Sequence, residues 1–184
     1  MEFVRNTNIF NNSSCLLNFK GKYGGKDADI IYLENSVVKK FKNGRENEFR
    51  TEKDVLELLT KEGYEHSPKI IKTGMEDGRF FIEMTNEGET LFEYLLKSTN
   101  NQINLAIEKI KEAIIELARL NIMHDDLTIE NILVSADKNG NPDKVTLIDF
   151  SWIKKTTVND PFELANKMIS RKFLMQFIEQ FVHK

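Results

Sequence analysis

The hydrophobic period of this chain changes near Gly88, and that change limits what it can fold into. Upstream, "CLLNFKG", "ADIIYL", "SVVKKF", "KIIKTG" and "RFFIEM" are short apolar or alternating runs broken by Gly, Asp and Asn, the pattern of strands joined by turns. One stretch interrupts them: "EFRTEKDVLELLTKEG" has helical spacing through Phe49, Val55, Leu56, Leu58 and Leu59, with Gly63 as its stop. Downstream, "TLFEYLLKS" and "INLAIEKIKEAIIELARLNI" are amphipathic helices, the second with Ile103, Ile107, Ile110, Ile114, Leu117 and Leu120 on one face. A strand pair, "NILVS" and "KVTLIDF", follows, and Asp160-Pro161 opens a last helix that runs to the end. The spacing predicts an α+β chain in two lobes: five strands with one inserted helix, then helices around a hairpin, with a linker near Thr85–Gly88. The expected division is a loose lead-in over 1–15, a first lobe over 16–86 and a second over 87–184.

Composition narrows the classes. A net charge of −3 over 184 residues offers no basic field for a nucleic-acid partner. No run of about 18 apolar residues exists to span a bilayer, and "MEFVRNTNIFNNSSC" lacks the apolar core of a secretory leader, so a cytoplasmic monomer is expected. The single Cys15 reads as inert, and no Cys/His cluster suggests a metal. His66 and His183 read as surface residues, and Trp152 as a core or inter-lobe aromatic.

Chemistry concentrates in "HDDLTIEN", residues 124–131, which leaves the long helix and enters an apolar strand. Asp126 and Asn131 can project from that loop into one cleft. Asp149 ends the partner strand in "LIDF", so an antiparallel hairpin would bring it beside Asn131. Together they offer the hard oxygens that Mg²⁺ accepts while keeping water and phosphate ligands.

These motifs resemble the protein-kinase superfamily: "HDDLTIEN" is similar to its catalytic loop and "IDFS" to its metal-binding Asp-Phe-Gly. The resemblance implies Asp126 as catalytic base, His124 as its structural support, Asn131 and Asp149 as Mg²⁺ ligands, and ATP as the phosphate donor. It also implies a strand lysine held by a helix glutamate. Alternation in "SVVKKF" puts Val37, Lys39 and Phe41 on one face and Lys40 on the other, and Lys39 fits the family pattern. Glu46, Glu48 and Glu52 are available as its partner, and Glu52, which opens E-x-x-x-L, is the choice. "GKYGGKDADIIY" resembles a degenerate phosphate-covering loop, with Gly24, Gly25 and Ala28 close to the nucleotide, and "FFIEMTNEGETL" resembles the hinge, with Ile82 before the linker, Glu83 to Thr85 along the adenine edge and Gly88 at the exit.

The departures matter as well. Asp125 stands where the family usually carries Arg, Thr128 where Ser/Thr kinases carry Lys, and Ser151 where the motif has Gly. The short form is similar to minimal atypical kinases, particularly small effectors injected by pathogenic bacteria. That likeness implies a protein substrate, an activating or docking protein partner, and the host cytosol as the place of action. Thr156 and Thr157 are either autophosphorylation sites or plain exposed loop. A partner-binding pseudokinase and a small-molecule phosphotransferase remain as alternatives.

Overall fold

A computed structural model describes residues 21–157 and 160–170. Five strands form one antiparallel sheet in the order β1-β2-β3-β5-β4: β1 (Gly21–Gly24), β2 (Ala28–Tyr32), β3 (Ser36–Phe41), β4 (Ile70–Glu76) and β5 (Arg79–Thr85). The first differs from expectation. Gly21–Gly24, read above as the start of a phosphate-covering loop, pairs with β2 in the register Gly21↔Tyr32, while most of "CLLNFKG" lies outside the described residues. The turn itself is confined to Gly25–Asp27 and closed by Gly25 N donating to Ala28 O at 2.8 Å.

Helix α1 (Glu46–Lys61) crosses from β3 to β4 and buries Phe49, Glu52, Val55, Leu56 and Leu59, one stripe at three- and four-residue steps. Phe49 stacks on Phe80 with ring centroids 4.7 Å apart and meets Phe41 edge-on, locking the helix to the sheet. Gly63, at φ +73°, ends it: Tyr64 N donates to Leu59 O and Gly63 N to Thr60 O, the paired bonds that satisfy the last helical carbonyls.

Past the linker come β6 (Glu89–Thr90), α2 (Leu91–Lys97) and α3 (Asn100–Arg119), both helices opened by capping boxes, Thr90 with Glu93 and Thr99 with Gln102. The long helix stops at Arg119, short of the Ile122 its periodicity suggests. Asn121 takes a left-handed φ of +57°, which Asn tolerates, and Ile122 then begins strand β7 (Ile122–His124). β8 (Ile132–Ala136) and β9 (Pro142–Leu147) form the expected hairpin, β6 adds to β8, and β10 (Ile153–Lys155) pairs with β7. Helix α4 (Pro161–Ser170) starts behind Asp160, whose carboxylate accepts from Phe162 N at 2.9 Å, and packs on α3. Ile103, Ile110, Ile114 and Leu117 of α3 sit under Val145 and Leu147 of β9 and Leu164 and Met168 of α4. The result is the mixed α+β fold that the hydrophobic pattern predicts, a small kinase-like architecture with an antiparallel sheet first and helices after it. Among the described residues no helix is long and apolar enough to cross a membrane.

One imidazole reading changes and one aromatic reading narrows. His66 is not a surface residue: its Nδ1 lies 2.8 Å from Val145 O, and its own carbonyl accepts from Leu147 N. Of the two readings of Trp152, core is excluded, since the residue is 49% exposed, and it borders the cleft instead. His183 and Cys15 lie outside the described residues.

Candidate active site

A cleft of about 660 Å³ opens between the five-stranded sheet and the β8–β9 hairpin. On the sheet side, alternation along β2 and β3 sends Ala28, Ile30, Tyr32, Val37 and Lys39 into it, with Gly25 at the turn. Glu52 of α1 forms part of the back, and Met84, Thr85 and Asn86 form the linker side. The opposite wall carries Asp126, Asn131, Leu133 and Asp149. Of the residues singled out in the sequence, Gly24, Ile82, Glu83 and His124 do not line this space. Gly24 is paired in β1, Ile82 is fully buried in the core, and Glu83 turns away to accept from Ser36 Oγ at 2.8 Å.

Lys39 is the electrostatic centre. Its Nζ donates to Glu52 Oε2 at 2.6 Å and to Asp149 Oδ1 at 2.7 Å, although these residues come from a strand, a helix and a loop far apart in sequence. Burial alone would pull the ammonium down, but the Glu52 and Asp149 carboxylates outweigh it and hold its pKa above that of an ordinary lysine. Burial pushes the Asp149 carboxyl up; the Lys39 charge wins, and Asp149 stays below the usual aspartate range. Both groups are therefore ionised at neutral pH. Lys40, one residue on, points to the other face and pairs with Glu76 and Asp77.

The loop after β7 is held from below. His124 Nε2 donates to Ile148 O at 2.9 Å, while Nδ1 accepts from Asp126 N at 3.3 Å, which sets the neutral tautomer. Burial lowers its pKa further. Asn131 Nδ2 donates to the Asp126 carbonyl at 2.8 Å and to its Oδ2 at 3.3 Å, which leaves the amide oxygen of Asn131 for another partner. Asp149 adopts φ +64°, a left-handed conformation that Asp can bear, and the turn it makes sends Phe150 into the core against the His124 ring.

Among the described residues no group of three or more His, Cys, Asp or Glu converges on a point. Two oxygen donors, Asn131 and Asp149, on one wall fit an ion such as Mg²⁺ that takes only one or two protein ligands and fills its shell with water and phosphate.

Sequence reasoning did not find Asn86 or Leu133; it passed over Met84 inside the Glu83–Thr85 hinge stretch, gave Trp152 no role and noted Ser151 only as a departure. The strand alternation that selects Lys39 also selects Met84, its neighbour through the Val37↔Met84 pair. Trp152 reaches the cleft mouth through a long-range contact, Asp125 N to Trp152 O at 2.9 Å, which no local pattern encodes.

Gly88 fixes the linker's exit. At φ +112° it passes so close to β8 that a Cβ there would meet Val134 O at 2.4 Å, so only glycine fits. Just before it, the Glu87 carboxylate accepts from Lys144 at 2.6 Å and from the Thr85 hydroxyl, tying the linker to β9. Burial would raise the Glu87 pKa, but Lys144 and the threonine hydroxyls hold it below the usual value.

Comparison with known proteins bears on this arrangement. The chain is 27% identical over 166 residues to a serine/threonine-protein kinase, dkf-2, of Caenorhabditis briggsae. The match takes in 82% of this chain but spans only 14% of that protein's length. Residues 31–160, from β2 to the start of α4, match the ecdysteroid kinase-like family. That span takes in the Lys39, Glu52, Asp126, Asn131 and Asp149 positions and well over half of the sequence: the chain belongs to the ecdysteroid kinase-like family.

Proposed function

We propose that this protein transfers the γ-phosphate of ATP, with Mg²⁺, to a Ser or Thr hydroxyl of a protein. The observation that carries the reading is the Lys39–Glu52–Asp149 network facing Asp126 and Asn131 across one cleft. Lys39 is a fixed cation placed to meet the α/β-phosphates, and Glu52 holds it there. Asp126, steadied through His124 and Asn131, takes the proton of the acceptor hydroxyl at the mouth. Asn131 and Asp149 hold Mg²⁺, which neutralises phosphate charge when bound. Thr85, with Met84 and Val37, borders the adenine end, and Gly25 and Ala28 cover the phosphates. The lobe boundary falls at 86/87, beside the Glu87 tie.

The protein acceptor is favoured by the likeness to a serine/threonine-protein kinase across most of the chain. A second reading, a small hydroxylated molecule as acceptor, is favoured by the family match, whose name refers to an ecdysteroid kinase. A secreted effector working in a host cytosol, with a partner protein that docks at the site, extends the first reading and rests on the motif pattern alone.

One assay separates these. Labelled γ-phosphate ATP is supplied with Mg²⁺ and either a mixed protein extract or a panel of small alcohols, ecdysteroids included, with Asp126→Ala as control. Label in protein that Asp126→Ala abolishes supports the first reading; label in a small alcohol replaces it with the second. Mg²⁺-ATP should also raise the melting temperature, as any ligand of the native state does. Thermal stabilisation without transfer would indicate a nucleotide-binding pseudokinase, and no stabilisation at millimolar Mg²⁺-ATP would sink the nucleotide reading.

A further inference from the structure

The residue two past Asp149 departs from the motif the rest of the loop follows, and its side chain is placed to matter. Ser151 Oγ donates to Glu52 Oε2 at 2.7 Å, across 99 residues of sequence. That oxygen is the same one that accepts from Lys39 Nζ at 2.6 Å. Glu52 is 2% exposed, so its carboxylate is cut off from water and depends on protein donors. Glycine at position 151 would remove one of these two donors and leave the carboxylate with more freedom to rotate about its own chain.

The turn at Asp149 explains how Ser151 gets there. Three successive side chains go to three places: Asp149 to Lys39, Phe150 into the core against His124, and Ser151 to the helix. The loop that carries Asp149 is thereby tied to α1 directly, as well as through Lys39. We propose that Ser151 is a positioning residue for phosphoryl transfer: its hydroxyl holds Glu52, and through Glu52 fixes the Lys39 ammonium where it meets the nucleotide. The inference rests on the nucleotide reading above and adds to it a reason why α1 stays docked without the motif's glycine. The groups that face Glu52 are Lys39 from β3 and Ser151 from the loop, with Asp149 near enough to interact with Glu52, Lys39 and the Ser151 hydroxyl.

The test uses the full chain and Mg²⁺-ATP as the probe, with binding followed by calorimetry. Ser151→Ala should weaken binding about tenfold, the scale of a lost hydrogen bond to a charged group, and Ser151→Thr, which keeps the hydroxyl, should recover most of it. In a Glu52→Gln background the same Ser151→Ala change should cost less than about twofold, because the contact is already altered. Without nucleotide, amide exchange of α1 should be faster in Ser151→Ala than in wild type. If Ser151→Ala folds poorly, Ser151→Cys, nearly isosteric and a weak donor, should bind with intermediate affinity.

The proposal is overturned if Ser151→Ala binds within twofold of wild type, or if its loss is undiminished when Glu52 is Gln. A wild-type protein that binds no Mg²⁺-ATP would defeat the nucleotide reading instead. In that case the nucleotide-free exchange still decides the contact: unchanged α1 exchange in Ser151→Ala removes the positioning role as well.

Discussion

Lys39 and Lys40 are adjacent and chemically identical, and the strand puts them in opposite environments. Lys39 is shared by two carboxylates, one fully inside the protein, whereas Lys40 reaches Glu76 and Asp77, which are 50% and 74% exposed. Removing one partner of a buried pair strands the other, so Lys39→Ala should lower stability by about 3 kcal/mol. An exposed pair contributes little, and Lys40→Ala should cost under about 1 kcal/mol. Loss of nucleotide binding in Lys39→Ala could then be blamed on unfolding. Lys39→Met combined with Glu52→Leu removes that ambiguity, because an apolar pair of similar volume should restore the melting temperature without restoring Mg²⁺-ATP binding. Recovery of binding in the double variant would mean the charge is there for the fold and not for phosphate. This distinction was legible in the sequence, since period-2 alternation alone assigns the faces of "SVVKKF". Ser151 was legible only as a departure; its contact with Glu52 is a tertiary fact.

At the scale of elements, the long periodic segments were readable and the very short ones were not. Helix α3 declared itself through its isoleucine stripe, but β6, β7 and β10 are two or three residues long and carry no period to detect. β10 nonetheless decides how the loop after Asp149 is held. Ile153 pairs with His124 and Lys154 with Met123, and Lys154 Nζ reaches Asp125 Oδ2 at 2.6 Å. Many kinases order this segment by pairing a loop phosphate with an arginine before the catalytic aspartate. Here the signs are reversed: the acid stands before Asp126 and the cation sits in the loop, so backbone pairing and an unmodified ion pair hold the segment. Phosphate near Asp125 would be repelled. Changing Thr156 and Thr157 together to Ala should therefore leave phosphoryl transfer within about threefold of wild type, and Lys154→Ala, which breaks a half-exposed pair, should cost under about 1 kcal/mol. A loss in the threonine variant as deep as that of Asp126→Ala, with ATP binding intact, would show that the tail threonines govern the site.

For the whole molecule the question is what keeps two lobes at one distance around the cleft, and the answer lies away from the site. The segment after α1 is bound to the helical part: Tyr64 Oη donates to Ala113 O at 3.0 Å, and His66 accepts and contacts the backbone of β9 on both sides of Thr146. On the same strand Glu87 grips Lys144. Buried side chains from both parts, from Ala28 to Met168, form one continuous apolar cluster. None of this could be read locally, because His66 in "EHSP" looks like any polar turn and Glu87 like any linker acid. With these ties to α3 and β9 and a continuous core, the described parts should unfold together. In urea, the transition seen by Trp152 fluorescence, a probe at the cleft mouth, should coincide with that seen by far-ultraviolet circular dichroism, which averages over sheet and helices. Tyr64→Phe removes one staple and should lower the midpoint modestly, by about 1 kcal/mol of stability, without separating the curves. Adding Glu87→Ala strands Lys144 and frees the linker, and the two transitions should then begin to part, with Mg²⁺-ATP drawing them back together by binding across the cleft. Separate transitions already in the wild-type protein would mean that the lobes are independent units and that the cleft geometry is set by the nucleotide and not by the staples.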